Sequence, residues 1–157
     1  MLSDYTAFLD DFFVKLIGTG IDISGFTIDH IAYQTSSEED YKAKKTKLIR
    51  EASFISEIMV GEIRVGIFKY LTPLDYKGQE ITAVELLFRK SDAPLLSCWE
   101  HVELITPFTL EELVLNYPKL EWNTKNIGRK DFPMITLRLG ENMQAKFPRR
   151  PLLEKNL

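Results

Sequence analysis

Two short stretches of this chain read alike, and they carry its only two histidines. DHIAYQT at residues 29–35 and EHVELIT at residues 100–106 both open on an acidic residue followed by histidine, and both end on threonine. Their β-branched, aromatic and apolar residues are typical of strands. A segment of helix formers follows each one. The chain therefore reads as two copies of one structural unit, which constrains its fold more than any other feature does.

The first copy predicts a βαβββ unit over residues 26–90. After its opening strand comes SSEEDYKAKKTKLIREA, a predicted helix in which Ser36 and Glu39 form a capping box. Three strand-like segments follow, SFISEIMV, EIRVGIFKYLTPL and EITAVELLF, and the short links between them carry turn residues.

The second copy, residues 91–157, predicts the same unit in compressed form. CWEHVELIT is a strand, and a helix with Thr109 and Glu112 as its capping box follows. EWNTKNIG could supply a short edge strand, and MITLRLG with MQAKF reads as a hairpin. Residues 1–25 hold an amphipathic helix, which Ser3 can cap, and a turn. We predict one α+β domain over residues 1–157, with paired βαβββ modules (glyoxalase/dioxygenase-like) after an N-terminal helix.

Two units related by a pseudo-twofold axis would bring the two histidine strands together. Side chains alternate along a strand, so His30 is expected to share a face with Ile28, Ala32 and Gln34. By the same alternation, His101 is expected to share a face with Trp99 and Glu103. If the two sheets curve around a common cavity, the two histidines face one another inside it.

Carboxylates on neighbouring strands extend this cluster. Glu85 lies in the apolar run AVELLF, where an unpaired carboxylate is costly to bury unless it pairs or binds a metal ion. Two imidazoles and one or two carboxylates suit zinc, nickel, iron(II) or manganese. Glu103 is expected to orient His101. Gln34 is a candidate substrate contact, and Arg149 could attract a carboxylate or phosphate, although an exposed turn residue is the alternative.

The same stretches resemble a known family. DHIAYQTSSEEDY, CWEHVELI and LRLGENMQAKF are similar to the YecM-like group of bacterial proteins, within the vicinal oxygen chelate superfamily that includes glyoxalase I, extradiol dioxygenases and bleomycin-resistance proteins. The resemblance covers nearly the whole chain after the first helix. It implies metal ligands on the first and last strands of each module.

Carried over residue by residue, the resemblance implies a divalent metal ion bound by His30, Glu85 and His101. The fourth position falls near residues 146–148, KFP, where no side chain is a metal ligand. Either Glu103 or Gln144 could then complete the set.

The resemblance also implies a function. The expectation is a metal-dependent enzyme acting on a small oxygenated metabolite by isomerase, lyase or dioxygenase chemistry, with Glu85 or Glu103 as the catalytic base. One alternative is a metal-free small-molecule-binding module of the same fold. Another is a structural protein whose cavity is filled by side chains.

Composition narrows the partners and the compartment. The formal net charge of −3 gives no electrostatic reason to expect nucleic acid. No long apolar run predicts a membrane span or a signal peptide. The single cysteine, Cys98, suits a reducing cytoplasm. We expect a cytoplasmic protein with a small-molecule ligand, and the sequence allows either a monomer or a homodimer.

Overall fold

The computed structural model describes residues 2–154, and it has an N-terminal helix and two successive α/β units. The elements are α1 Tyr5–Gly18, β1 Thr27–Gln34, α2 Glu38–Leu48, β2 Ala52–Val60, β3 Ile63–Tyr76, β4 Gln79–Arg89, β5 Cys98–Ile105, α3 Leu110–Asn116, β6 Met134–Gly140, β7 Met143–Pro148 and a short 3-10 helix Leu152–Glu154. The predicted α+β fold of paired modules after an N-terminal helix is confirmed. Across residues 2–154, the helices are all too short or too polar to cross a membrane.

The strands form one seven-stranded sheet in the order β2-β3-β4-β1-β5-β7-β6. At its centre β1 pairs antiparallel with β5, and each of them pairs parallel with the last strand of its own module, β4 or β7. The two halves are therefore related by a pseudo-twofold axis between β1 and β5. This places the two histidine strands side by side.

The second module differs from the prediction at its edge. Within the described residues, the segment predicted as a short edge strand contributes a single antiparallel bridge between Asn123 and Thr136. Its backbone turns immediately afterwards, because the Asn123 side chain accepts a hydrogen bond from the amide of Lys125 at 3.1 Å. One bridge is all that this turn-rich sequence sustains.

The helices cover one face of the sheet and leave the other for the site. Apolar residues of all three helices, among them Phe12, Tyr41 and Leu113, join one large buried cluster with strand residues. A smaller cluster around Ala32 and Ile67 forms where β1, β3 and β4 meet the C-terminal 3-10 helix. A cavity opens beside this smaller cluster, lined by residues from β2 through β7.

The helix starts follow capping chemistry, with two shifts from the predicted positions. Thr109 and Glu112 form the predicted capping box of α3. The cap of α1 is Asp4, not Ser3, because the Asp4 carboxylate accepts from two amides of the first turn. The cap of α2 is Ser37, one residue after the predicted Ser36.

Candidate metal centre

Two register shifts interrupt the pairing of β1 with β5, and each falls at the acidic residue before a histidine, Asp29 or Glu100. A bulge of this kind adds one residue to a strand and re-aims the side chains around it. Strict alternation therefore fails at this point. Trp99 stacks on Phe8 of α1, with ring centroids 6.2 Å apart, and the expectation that it shares a face with His101 is wrong. The expectation that Ile28 shares a face with His30 is wrong for the same reason, because Ile28 belongs to the buried cluster under the helices.

The bulges bring each acidic side chain onto the ring of the histidine that follows it. Asp29 Oδ2 lies 2.7 Å from His30 Nδ1, and Glu100 Oε2 lies 2.7 Å from His101 Nδ1. A carboxylate on Nδ1 fixes the tautomer and the ring orientation, and it leaves Nε2 as the ligand atom. The pseudo-twofold repeat has thus built the same carboxylate–imidazole pair twice.

Both acidic side chains are held in place by further donors. The backbone amide of Leu152, in the C-terminal 3-10 helix, donates to Asp29 Oδ2 at 2.9 Å. The Arg89 guanidinium donates to Glu100 Oε1 at 2.8 Å. The two pairs are therefore anchored differently: Asp29 uses one oxygen for both partners, whereas Glu100 uses one oxygen for each.

The two Nε2 atoms converge on two carboxylates. His30 Nε2 lies 3.5 Å from Glu85 Oε1 and 3.6 Å from Glu103 Oε1. His101 Nε2 lies 3.5 Å from Glu85 Oε2. One ligand atom from each of these four residues falls within 4.8 Å of the others. Tetrahedral ligands at about 2.1 Å from a zinc ion are about 3.4 Å apart, so this spacing fits a common ion.

The cluster leaves polar atoms without partners, which is the strongest sign that it fits a metal ion. Within residues 2–154, His30 Nε2, His101 Nε2 and Glu103 Oε2 are buried and accept or donate no hydrogen bond. Unsatisfied buried polar atoms are costly, by about 1–3 kcal/mol each. A divalent cation bound to the two imidazole nitrogens would remove their share of that cost, and the donor set suits zinc, nickel, iron(II) or manganese.

The electrostatics of the cluster favour a cation. Burial lowers the pKa of His30, but the carboxylates of Glu103 and Glu85 outweigh it and raise the pKa to about 10. Burial raises the pKa of Glu85, and the nearby His30 and His101 pull it well below its usual value. Burial likewise raises the pKa of Glu100, and its bond to His101 brings it down to about 2. Glu85 and Glu100 are therefore ionised at neutral pH.

The predicted ligands come together, and Glu103 joins them. All three predicted metal residues, His30, Glu85 and His101, belong to the cluster. Glu103 was expected to orient His101, but its carboxylate lies within the cluster and Glu100 occupies the orienting position. Asp29 and Glu100 were missed as orienting residues, although the acidic residue before each histidine was visible in the repeat.

The sheet register explains why the fourth candidate ligand comes from β5 and not from β7. β1 aligns Ala32 with Glu85, and β5 aligns Glu103 with Lys146. Ala32 and Glu103 each follow their histidine by two positions, so Lys146 is the second-module counterpart of Glu85. The carboxylate missing from β7 is thus supplied from β5, by Glu103.

The two predicted substrate contacts lie elsewhere. Gln34 accepts a hydrogen bond from Arg89 at 2.8 Å and lines a smaller neighbouring cavity, one that it shares with Glu100. Arg149 forms an ion pair with Glu111 of α3 at the surface. Neither side chain lines the cavity of about 300 Å³ that opens onto Glu85, His101 and Glu103.

Comparisons with known proteins agree with this architecture. A family model described as "YecM protein" matches residues 1–146. A Haemophilus influenzae protein named "Uncharacterized protein" is 25% identical over 122 residues, which cover 77% of this chain and 61% of that protein. The chain thus spans about 61% of the length of this curated relative.

Among solved structures, the structural-genomics protein EC4020 has the same fold. The two align with a TM-score of 0.74 and 19% identity, over 98% of this chain and 95% of that chain. The fosfomycin resistance protein FosX of Listeria monocytogenes, solved with Mn(II) and a dihydroxypropylphosphonic acid, aligns with a TM-score of 0.29 and 12% identity over 80% of this chain and 94% of that one. At that TM-score the two folds do not superpose closely enough for their sites to be compared.

Proposed function

This chain belongs to the YecM protein family, and we propose that it is a metal-dependent enzyme of the vicinal oxygen chelate type acting on a small oxygenated metabolite. The observation that carries the proposal is the buried meeting point of His30, Glu85, His101 and Glu103, where both imidazole Nε2 atoms are without hydrogen-bond partners among residues 2–154. An open cavity beside it would give a substrate access to a bound ion.

The ion would supply Lewis acidity, polarising a substrate oxygen so that negative charge can develop on it. The chain's own residues hold and orient the site. Asp29 and Glu100 fix the imidazole rings through their Nδ1 atoms. Glu103 has one oxygen, Oε2, with no hydrogen-bond partner among the described residues, and we propose this oxygen as the acceptor of a substrate proton. Isomerase, lyase and dioxygenase chemistry are all compatible with this arrangement.

The test is conversion of substrate by the metal-reconstituted protein. The chain is incubated with α-hydroxy ketones, thiohemiacetals and catechols, with and without added ion, and products are followed by proton NMR. We expect metal-dependent conversion within at least one class, reduced about 100-fold or more in Glu103→Gln. Glu80→Gln, an exposed carboxylate on β4, is the matched control. A protein that holds metal yet converts none of these classes would contradict the enzymatic proposal.

A metal-free binding module of the same fold is the second candidate, and one observation favours it. The raised pKa of His30, about 10, means that a proton on this ring can pair with Glu85 and Glu103 at neutral pH. A proton would then stabilise the cluster in place of an ion. This alternative predicts that the purified protein binds ligands in the cavity equally well before and after treatment with a chelator.

We also propose that the protein is cytoplasmic and that it can form a homodimer. Cys98 is a free thiol and the only cysteine of the chain, which suits the reducing cytoplasm. Cell fractionation tests the location, and light scattering distinguishes a monomer from a homodimer.

A further inference from the structure

We infer that the cavity is built for a small amphipathic carboxylate, whose carboxylate pairs with Lys146 and whose apolar group lies against the opposite wall. This rests on the proposed metal site, because the substrate oxygen beside the carboxylate would bind there. The two walls of the cavity differ in their chemistry, and this difference indicates the substrate class.

Lys146 is the charged group that distinguishes one wall. It is half-buried on β7 and lines the cavity, where the pseudo-twofold repeat would otherwise place a metal-binding carboxylate. Within residues 2–154 no carboxylate lies within 4 Å of its ammonium.

The other cations on the cavity are already paired. Arg89 donates to Glu100 and Gln34, both at 2.8 Å. Arg129 binds Asp131 through two nitrogens, at 3.0 and 2.8 Å. Of the cations that line the cavity in the described part of the chain, Lys146 alone remains for an incoming anion.

Charge balance points to a single negative charge on the ligand. Glu85 and Glu103 would balance the charge of a bound divalent ion, Arg89 balances Glu100, and Asp131 balances Arg129, so among the groups that line the cavity Lys146 keeps an unbalanced charge. The ammonium of Lys146 then balances one negative charge in a partly desolvated site, where ion pairs are stronger than in water. A carboxylate meets this condition, and a dianionic phosphate exceeds it.

Polar side chains extend the wall around Lys146. The strand register places Lys146 between Glu103 of β5 and Thr136 of β6, and Thr136 bridges to Asn123. These four residues all line the cavity, so they form a polar row leading away from the metal site. The Thr136 hydroxyl and the Asn123 amide can donate to the oxygens of a bound carboxylate.

The opposite wall is apolar. It consists of five aliphatic side chains of β2, β3 and β4: Ile58, Val60, Ile63, Val65 and Leu87. Such a surface stabilises a hydrocarbon group by removing it from water. The cavity volume of about 300 Å³ lies at the small end of ligand sites, which span about 300–1,000 Å³. A short branched chain suits this space.

The probe is 2-hydroxy-4-methylpentanoate, which has a hydroxyl beside its carboxylate and a branched apolar chain. Calorimetric titration of the zinc-loaded full chain compares it with its primary amide and with glycolate. We expect the wild type to bind the acid about tenfold or more tightly than the amide, because a hydrogen bond to a charged group is lost. Glycolate should bind at least tenfold more weakly, because it lacks the apolar chain.

Two lysine variants isolate the contribution of the ammonium. Lys146→Met should lose the preference for the acid over the amide, through an affinity for the acid about tenfold lower. Lys69→Met, on an exposed residue of β3, should behave as the wild type. Zinc content is measured in each sample.

The outcomes separate this inference from the metal site itself. If Lys146→Met holds zinc and still prefers the acid as the wild type does, the substrate class is wrong and the metal site stands. If the wild type holds zinc but does not bind the acid, the inference is overturned in the same way. If zinc does not bind but nickel, iron(II) or manganese does, the titrations are made with that ion; if none of the four binds to the wild type, both proposals fail.

Discussion

Replacing Asp29 by asparagine and Glu100 by glutamine tests whether the carboxylates on Nδ1 control metal affinity. Both substitutions keep the shape of the side chain and remove its charge. In Asp29→Asn the side-chain oxygen can still accept from both partners of Asp29 Oδ2, His30 Nδ1 and the Leu152 amide. The change therefore removes charge and leaves the geometry in place.

Glu100→Gln has a larger effect for a structural reason. Glu100 accepts from His101 with one oxygen and from Arg89 with the other. A glutamine amide cannot accept from both, because its NH₂ group would face one of these donors. Removing an orienting partner of a metal-bound imidazole costs about 10–100-fold in metal affinity. We expect about tenfold for Asp29→Asn and about 100-fold for Glu100→Gln, which correspond to about 1.4 and 2.7 kcal/mol.

Competition with a chromophoric zinc chelator at neutral pH measures these affinities. Asp92→Asn, on an exposed residue of the loop between β4 and β5, is the matched control and should bind zinc as the wild type does. Circular dichroism checks that the fold is intact. The reasoning is refuted if both variants fold normally and bind zinc with wild-type affinity.

Three further predictions follow from the same structure. Zinc at about 1,000 times its Kd should stabilise the wild type by about 4 kcal/mol and raise its melting temperature by about 8–16 °C; an equal rise in His30→Ala/His101→Ala contradicts this. In the metal-free protein the pKa of His30 is raised from 6.5 to about 10. The protonated His30 side chain therefore stabilises the fold fully below pH 6.5, and this stabilisation is lost as the pH rises through 10. A urea unfolding midpoint that stays constant from pH 7 to pH 10 would contradict this prediction. Thr109→Ala removes the α3 cap and should cost about 1 kcal/mol, seen as a melting temperature lower by about 2–4 °C with zinc affinity unchanged.

The two modules and most of the metal-binding cluster could be predicted from the sequence because those features are local or repeated. Strand and helix patterns, the Thr109–Glu112 capping box and the paired acidic-His dipeptides are all visible in short windows. Once β1 and β5 are recognised as equivalent strands, placing His30 beside His101 follows from symmetry.

The features that could not be predicted depend on contacts between strands. The bulges at Asp29 and Glu100 are set by the register of β1 against β5, and no local pattern reports that register. The same bulges turn Trp99 towards α1. Arg149 forms its ion pair with Glu111, which lies 38 residues earlier in the chain. No local sequence pattern indicates that pairing either.

The measurement that tests the account most directly is the metal content of the untagged protein, by plasma mass spectrometry, beside His30→Ala/His101→Ala. The account predicts about one divalent ion per chain in the wild type and none above background in the double variant. No bound metal in the wild type, even after reconstitution with zinc, nickel and iron(II), would contradict it.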